Sequence, residues 1–184
     1  MHGLMNRALQ DLIVDRYGRQ RWEAIRRKAD VPVEVFVGMN STSPEIALRL
    51  VASASEALET PPERLLEEFG EHWILYSTRE GYGELVELAG RSVIEILQNL
   101  DRIQAHVGLT FPKAQWPSLQ CSDVGPSSLR LHCRCLRDGL APIVVGLLKG
   151  LGKRFGTPVE VVHDRRLAAG HDHDEFIVRV RPAA

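Results

Sequence analysis

The chain has 184 residues, of which 44% are hydrophobic and 26% are charged, as is typical of a soluble globular protein with a packed core. Its 23 Lys and Arg residues against 24 Asp and Glu residues give a net charge of −1, which argues against non-specific nucleic-acid binding because phosphate contacts need a basic excess. The sequence has no apolar run near the roughly 18–20 residues of a membrane span and no signal-peptide layout at its start. Its three cysteines fit a reducing compartment. We therefore expect one cytoplasmic domain that binds neither nucleic acid nor a membrane.

Apolar periodicity predicts helices over most of the first two thirds of the chain, at 4–17, 20–29, 45–58 and from residue 62 onward. A longer helix is predicted over residues 90–108, because its apolar residues recur at the spacing of a buried stripe; they are Val93, Ile96, Leu97, Leu100, Ile103 and Val107.

After residue 112 the pattern changes. Alternation from Leu129 to Cys135 predicts a strand, 141–155 a further helix, and 159–162 and 176–180 two more strands. Residues 164–174, which include a histidine-rich stretch at 170–174, are predicted to form a polar, solvated loop. Helices followed by strand, helix, strand and strand indicate an α+β fold.

Nine short motifs occur along the chain in a distinctive order. They are Gly-Leu-Met-Asn-Arg-Ala-Leu (3–9), Trp-Glu-Ala-Ile (22–25), Leu-Val-Ala-Ser-Ala-Ser (50–55), Phe-Gly (69–70), Glu-Gly-Tyr (80–82), Leu-Gln-Asn-Leu-Asp (97–101), Pro-Ser-Leu-Gln-Cys (117–121), Arg-Asp-Gly-Leu (137–140) and Asp-His-Asp-Glu-Phe (172–176). Together they resemble the haem nitric oxide/oxygen binding (H-NOX) family and, within it, the sensor domain of soluble guanylate cyclase β subunits.

The resemblance implies a single domain over residues 1–184. Residues 1–60 would form a helical distal lobe, and residues 61–184 a proximal α+β lobe with a long signalling helix and an antiparallel sheet. In the family, a histidine three residues after the Asn-Leu-Asp aspartate ligates haem iron, and a Tyr-x-Ser-x-Arg strand motif holds the propionates. Nitric oxide or another gas weakens the histidine bond, and the helix passes the change to a histidine kinase or a cyclic-nucleotide enzyme.

This sequence departs from the family at the axial position, where Gln104 stands in place of the histidine. An amide oxygen is a far poorer donor to haem iron than an imidazole nitrogen. Gln104 lies on the apolar stripe and is expected to face inward. His106, two residues further on, is rotated by about 200° on a helix and is expected to lie on the surface.

The propionate motif is also reduced, because its Tyr, Ser and Arg positions are here Cys133, Cys135 and Arg137. Only the arginine is retained, and its guanidinium can still bind a carboxylate. Both departures point the same way, so we expect ordinary His-ligated haem binding to be lost.

Several replacements stay open at this stage. Haem could remain through a Cys133 or Cys135 thiolate or through pocket contacts alone. A haem-free redox or zinc sensor could use Cys133 and Cys135 with further ligands, drawn from Cys121, His106, His163, His171 and His173. A fatty acid or a different tetrapyrrole could be held by Arg137, or the domain could be a structural or partner-binding relic.

Three more residues fall at family pocket positions. Pro117 would lie against the haem face or simply end a turn, whereas Met5 and Trp73 would line the distal pocket or belong to the core. No phosphate loop or nucleophile motif occurs in the sequence, so we expect a small-molecule sensor that is not itself an enzyme. Because the chain ends at Ala184 without an output domain, we expect it to regulate a separate signalling partner.

Overall fold

The computed structural model describes residues 3–32, 44–77, 87, 89–110, 117–134 and 139–181. Its helices are α1 Gly3–Tyr17, α2 Arg19–Lys28, α3 Pro44–Leu58, α4 Pro62–Ser77, α5 Val93–Gln98, α6 Leu100–Thr110 and α7 Ala141–Arg154. Its strands are β1 Ser118–Ser122, β2 Ser128–Arg134, β3 Val159–Arg165 and β4 Asp174–Val180. The described segments therefore confirm the predicted α+β class. No helix in the described part of the chain is both long and apolar enough to cross a bilayer.

The first four helices pack around one apolar core. Gly18 separates α1 from α2 with a φ of 84°, a conformation that favours glycine. Its N–H donates to the carbonyl of Val14 over 3.0 Å, which ends α1 where the sequence predicted. The most deeply buried large side chains of this first core are Leu12, Ile13, Trp22, Ile25 and Leu50.

Helix α4 joins the first core to the second. Leu65, Phe69 and Tyr76 of α4 belong to the first core, whereas Ile74 of the same helix packs against the second. The predicted lobe boundary at residue 60 stays a prediction, and α4, which follows it, contributes side chains to both cores.

Two glycines allow α4 to lie directly against α7. A Cβ atom added at Gly70 would lie 2.2 Å from the carbonyl oxygen of Ile143, and one at Gly146 would lie 2.0 Å from that of Glu67. Ion pairs flank the contact: Lys149 lies 2.6 Å from Glu67. The close approach of the two backbones therefore requires residues without side chains at both positions.

The four strands form one antiparallel sheet in the order β1-β2-β4-β3. One face carries the second core and is covered by helices that include α5 and α7; its sheet residues are Leu129, Leu131, Cys133, Phe176 and Val178. The opposite face carries polar side chains, because the strand alternation of β2 places Arg130 and His132 there.

The predicted helix at 90–108 is interrupted in the structure. It begins at Val93, after Ser92 accepts a hydrogen bond from the Glu95 N–H, and it breaks at Asn99. The Asn99 side chain donates to the carbonyls of Ala89 (2.8 Å) and Glu95 (3.0 Å). Asparagine side chains compete with the backbone for such bonds, so the apolar stripe continues over two helices, not one.

The strands also differ from the prediction in extent. Strand β1 was not predicted, because it has only five residues and lies at the sheet edge. Strands β3 and β4 each run to seven residues. The prediction of a solvated loop at 170–174 is wrong at its C-terminal end, because Asp174 begins β4 and only 8% of His173 is exposed.

Candidate functional site

The side chain of Gln104 links α6 to the sheet edge. Its Nε2 donates to the carbonyl of Leu119 over 3.0 Å, and its Oε1 accepts from the N–H of the same residue over 3.1 Å. Gln104 is half-buried, as the helical spacing predicted. Because both ends of the amide are bonded to one residue of β1, the side chain at this position does not fit the role of an iron ligand.

His106 lies on the exposed side of α6, in agreement with the rotation expected two residues after Gln104. The His106 side chain therefore does not face the sheet as the Gln104 side chain does.

Two of the three cysteines, Cys121 and Cys133, lie within the described residues, and both are on the core face of the sheet. Cys133 is fully buried, and Cys121 donates its S–H to the carbonyl of Leu97 over 3.2 Å. Burial raises the pKa of the Cys121 thiol to about 11, and the nearby Asp101 carboxylate adds to the rise. Cys121 is therefore protonated at neutral pH and is not poised as a metal ligand or nucleophile.

Three of the other predicted site residues lie within the described part of the chain. Met5 and Trp73 are half-buried and pack against the first core, with the Trp73 ring 6.2 Å from that of Phe69. Pro117 is half-buried and directly precedes β1. Cys135 and Arg137 lie outside the described residues. The structure therefore brings Gln104 close to β1 and its cysteine face, and it places Met5 and Trp73 in the N-terminal core.

A cluster that the sequence analysis did not identify lies on the outer face of the sheet. His132 Nδ1 lies 2.9 Å from His173 Nε2 and 3.7 Å from a Glu175 carboxylate oxygen. Antiparallel pairing places His132 directly opposite Glu175, and the turn before β4 adds His173. Alternation alone puts His132 on the face opposite Cys133, but only the register of β2 against β4 reveals its partners.

Charged groups surround this cluster. Arg130 binds Glu175 and also lies 2.9 Å from Asp164 and 3.1 Å from Asp123. The Asp164 and Glu175 carboxylates raise the pKa of the Arg130 guanidinium further above its ordinary value, with the Asp164 hydrogen bond as the largest cause.

A sequence model described as Haem-NO-binding matches residues 2–163. The chain belongs to this family. Soluble guanylate cyclases are among its relatives: gcy-31 of Caenorhabditis elegans is 24% identical over 173 residues, which cover 91% of this chain and 25% of that protein. Soluble guanylate cyclase 89Db of Drosophila melanogaster is 23% identical over 159 residues, covering 84% of this chain and 23% of that protein. The chain thus spans about a quarter of the length of these relatives, and the resemblance read from the sequence is confirmed.

Solved H-NOX structures share the fold. An H-NOX protein from S. oneidensis in the Fe(II)NO ligation state superposes with a TM-score of 0.88 at 20% identity, covering 98% of this chain and 99% of that one. The unliganded Fe(II) H-NOX protein from K. algicida gives a TM-score of 0.86 at 19% identity, covering 98% and 97%. The predicted H-NOX-like α+β architecture is therefore confirmed, and the haem question depends on this chain's own residues.

Proposed function

We propose that the chain is a cytoplasmic H-NOX sensor module that binds a pocket ligand without histidine ligation of iron and regulates a separate signalling enzyme. The observation that carries this proposal is the pair of hydrogen bonds between Gln104 and Leu119. The named relatives are guanylate cyclases, so a cyclic-nucleotide enzyme or a histidine kinase is the partner class that we favour. The module itself senses and does not catalyse.

Turning Gln104 toward an iron atom would be costly. The amide N–H and carbonyl of Leu119 would both lose their partner, and an unpaired buried polar group costs about 1–3 kcal/mol. An amide oxygen returns little of that cost, since haem iron in proteins is held by His, Cys, Met or Tyr. Cys121 does not replace it, because its thiol keeps its proton at neutral pH.

The ligand class that we favour is a tetrapyrrole or another apolar molecule with a carboxylate, because the propionate motif retains Arg137. A guanidinium binds a carboxylate in a two-point geometry whether or not the ligand carries iron. This separates two properties that are coupled in the rest of the family, namely pocket binding and axial ligation.

A haem titration of the wild type and two variants tests the axial claim. Gln104→His restores an imidazole at the ligand position, and Gln98→His places the same change on an exposed site of the neighbouring helix. We expect Gln104→His to bind haem at least tenfold more tightly than the wild type, with the absorption spectrum of histidine-ligated ferrous haem, and Gln98→His to behave as the wild type. A histidine-type spectrum in the wild type, or equal haem affinities in the two variants, would overturn the proposal.

Iron-free protoporphyrin IX tests the pocket separately. It keeps the flat ring and both propionates, so we expect the wild type and Gln104→His to bind it with equal affinity. We also expect binding to change the hydrogen exchange of α5 and α6, the predicted signalling helix. Unchanged exchange in these helices on binding would refute that mechanism, and absence of porphyrin binding in both proteins would refute the tetrapyrrole assignment.

A further inference from the structure

The outer face of the sheet carries a group of side chains with no role in the haem question. We propose that His132, His173 and Glu175 form a binding site for a divalent transition-metal ion, with Zn²⁺ as the best-suited occupant. This site lies on the face of β2 opposite Cys133 and does not depend on the ligand proposed above.

The ligand atoms are already close to a binding arrangement. One nitrogen of each histidine and one oxygen of Glu175 all lie within 4.8 Å of one another. Zinc bound at about 2.0–2.2 Å from each ligand separates neighbouring ligand atoms by roughly 3.3–3.5 Å in a tetrahedral site. The His132–His173 nitrogen pair, now 2.9 Å apart, needs to open by only a few tenths of an ångström.

The outward-facing nitrogens of both histidines have partners that fix the rings. Asp172 Oδ1 lies 2.7 Å from His173 Nδ1, and Ser122 Oγ lies 2.8 Å from His132 Nε2. Histidines that bind metals almost always engage their second nitrogen in this way, which orients the ring and raises its basicity. The two remaining nitrogens, His132 Nδ1 and His173 Nε2, point toward each other and toward Glu175.

Burial and charge also suit a cation. His173 and Glu175 are 8% and 4% exposed and His132 is half-buried, so the site is shielded from bulk water on the sheet side and reached by solvent only at His132. Arg130 binds Oε1 of Glu175, whereas Oε2 is the oxygen nearer His132 and also lies 3.6 Å from Nε of the exposed Arg165. A metal ion bound by Oε2 would therefore share that oxygen with Arg165. Around the cluster, four carboxylates (Asp123, Asp164, Asp172 and Glu175) outnumber three arginines (Arg130, Arg134 and Arg165).

Two histidines and one carboxylate leave a coordination position open for water or an exogenous ligand. The three residues come from β2, from β4 and from the turn before β4. A metal ion here would therefore fix the 170–173 turn to the sheet and would present an exchangeable position at the protein surface.

Isothermal titration of the tag-free full chain with Zn²⁺ alone tests the site. We expect one ion to bind, and His132→Ala and His173→Ala each to weaken binding by at least tenfold. His171→Ala changes an exposed histidine on the same turn and Cys135→Ser removes a thiol that is not one of the three proposed ligands; both should bind as the wild type. Equal affinity in the wild type and His132→Ala, or loss of binding in Cys135→Ser, would overturn the proposal.

A second measurement does not depend on the stability of the alanine variants. Co²⁺ added to the wild type should give the visible absorption of a four- or five-coordinate nitrogen–oxygen site, without a sulfur-to-metal charge-transfer band. Asp172→Asn, which keeps the three ligands, should weaken binding by about 10–100-fold, the usual effect of losing such a partner. A thiolate band or unaltered binding in Asp172→Asn would contradict the assigned ligands.

Discussion

The side chain at position 104 shows how the residue type determines what one position on α6 can do. An imidazole there would present one nitrogen to a ligand, whereas the amide of Gln104 matches the N–H and C=O of a single strand residue. The side-chain amide thereby forms the two hydrogen bonds with Leu119 that the backbone of a neighbouring strand would otherwise form. Gln104 thus connects α6 to the edge strand of the sheet.

Cys121 gives a prediction at the same scale. Because burial raises the pKa of its thiol to about 11, iodoacetamide should label Cys121 with a half-maximal rate near that pH, well above the roughly 8.5 of a free cysteine. Peptide mass spectrometry across pH 7–12 measures the rate at this residue alone. Asp101→Asn removes a negative charge that contributes to the shift, so its midpoint should move to lower pH. A wild-type midpoint below pH 9 would contradict the burial argument.

The same thiol affects stability in alkali. The unfolded chain releases this proton more readily than the folded one, so the free energy of unfolding should fall as the pH rises from about 9 to about 11. Cys121→Ala lacks the ionising group and should show a smaller decline in urea unfolding over that range.

At the scale of the elements, the break at Asn99 separates α5 from α6. The Asn99 amide holds the carbonyls of Ala89 and Glu95, so it fixes the end of α5 and the segment before it together. Gln104 then joins α6 to β1. The predicted signalling helix is thus two helices in the structure, each fixed by one amide side chain.

Removing the first of these amides should destabilise the protein. Asn99→Ala loses two hydrogen bonds of about 1 kcal/mol each and gains several tenths of a kcal/mol of helix propensity, so we expect a net loss of about 1 kcal/mol in urea unfolding. Hydrogen exchange should speed up at the end of α5. Gln98→Ala, at the exposed neighbouring position, should change stability by less than about 0.5 kcal/mol. A stabilised Asn99→Ala protein would show that the break is not held by this side chain.

These elements also show what a sequence can and cannot predict. The apolar stripe from Val93 to Val107 predicted the inward direction of Gln104, because helical spacing is a local property. The break at Asn99 depends on the carbonyl of Ala89, ten residues away, and no local pattern contains that contact. The His132–Glu175 pairing depends on the register of two strands more than 40 residues apart, so the metal-binding residues could be read only from the fold.

At the scale of the whole molecule, α4 belongs to both apolar cores. Several of its side chains belong to the N-terminal core. Its side at Gly70 lies against α7, which belongs to the second core. A helix shared in this way links the folding of the two cores. If α4 separated from one core, it would also leave the other, and the apolar side chains of both cores would be exposed to water. We therefore expect the described parts of the chain to unfold as one cooperative unit.

Two probes in urea test this, one for each core. In a Trp116→Phe background, fluorescence reports Trp22 and Trp73 of the first core, and pulsed alkylation read by peptide mass spectrometry reports the fully buried Cys133 of the second. Both should give the same midpoint. Gly146→Ala places a Cβ 2.0 Å from the Glu67 carbonyl and should lower the free energy of unfolding by about 1–3 kcal/mol, so both midpoints should fall together. Gly108→Ala, where the added Cβ meets open space, should lower neither. Separate midpoints, or a Gly146→Ala effect confined to one probe, would mean that each core folds on its own and that α4 joins them only after they have formed.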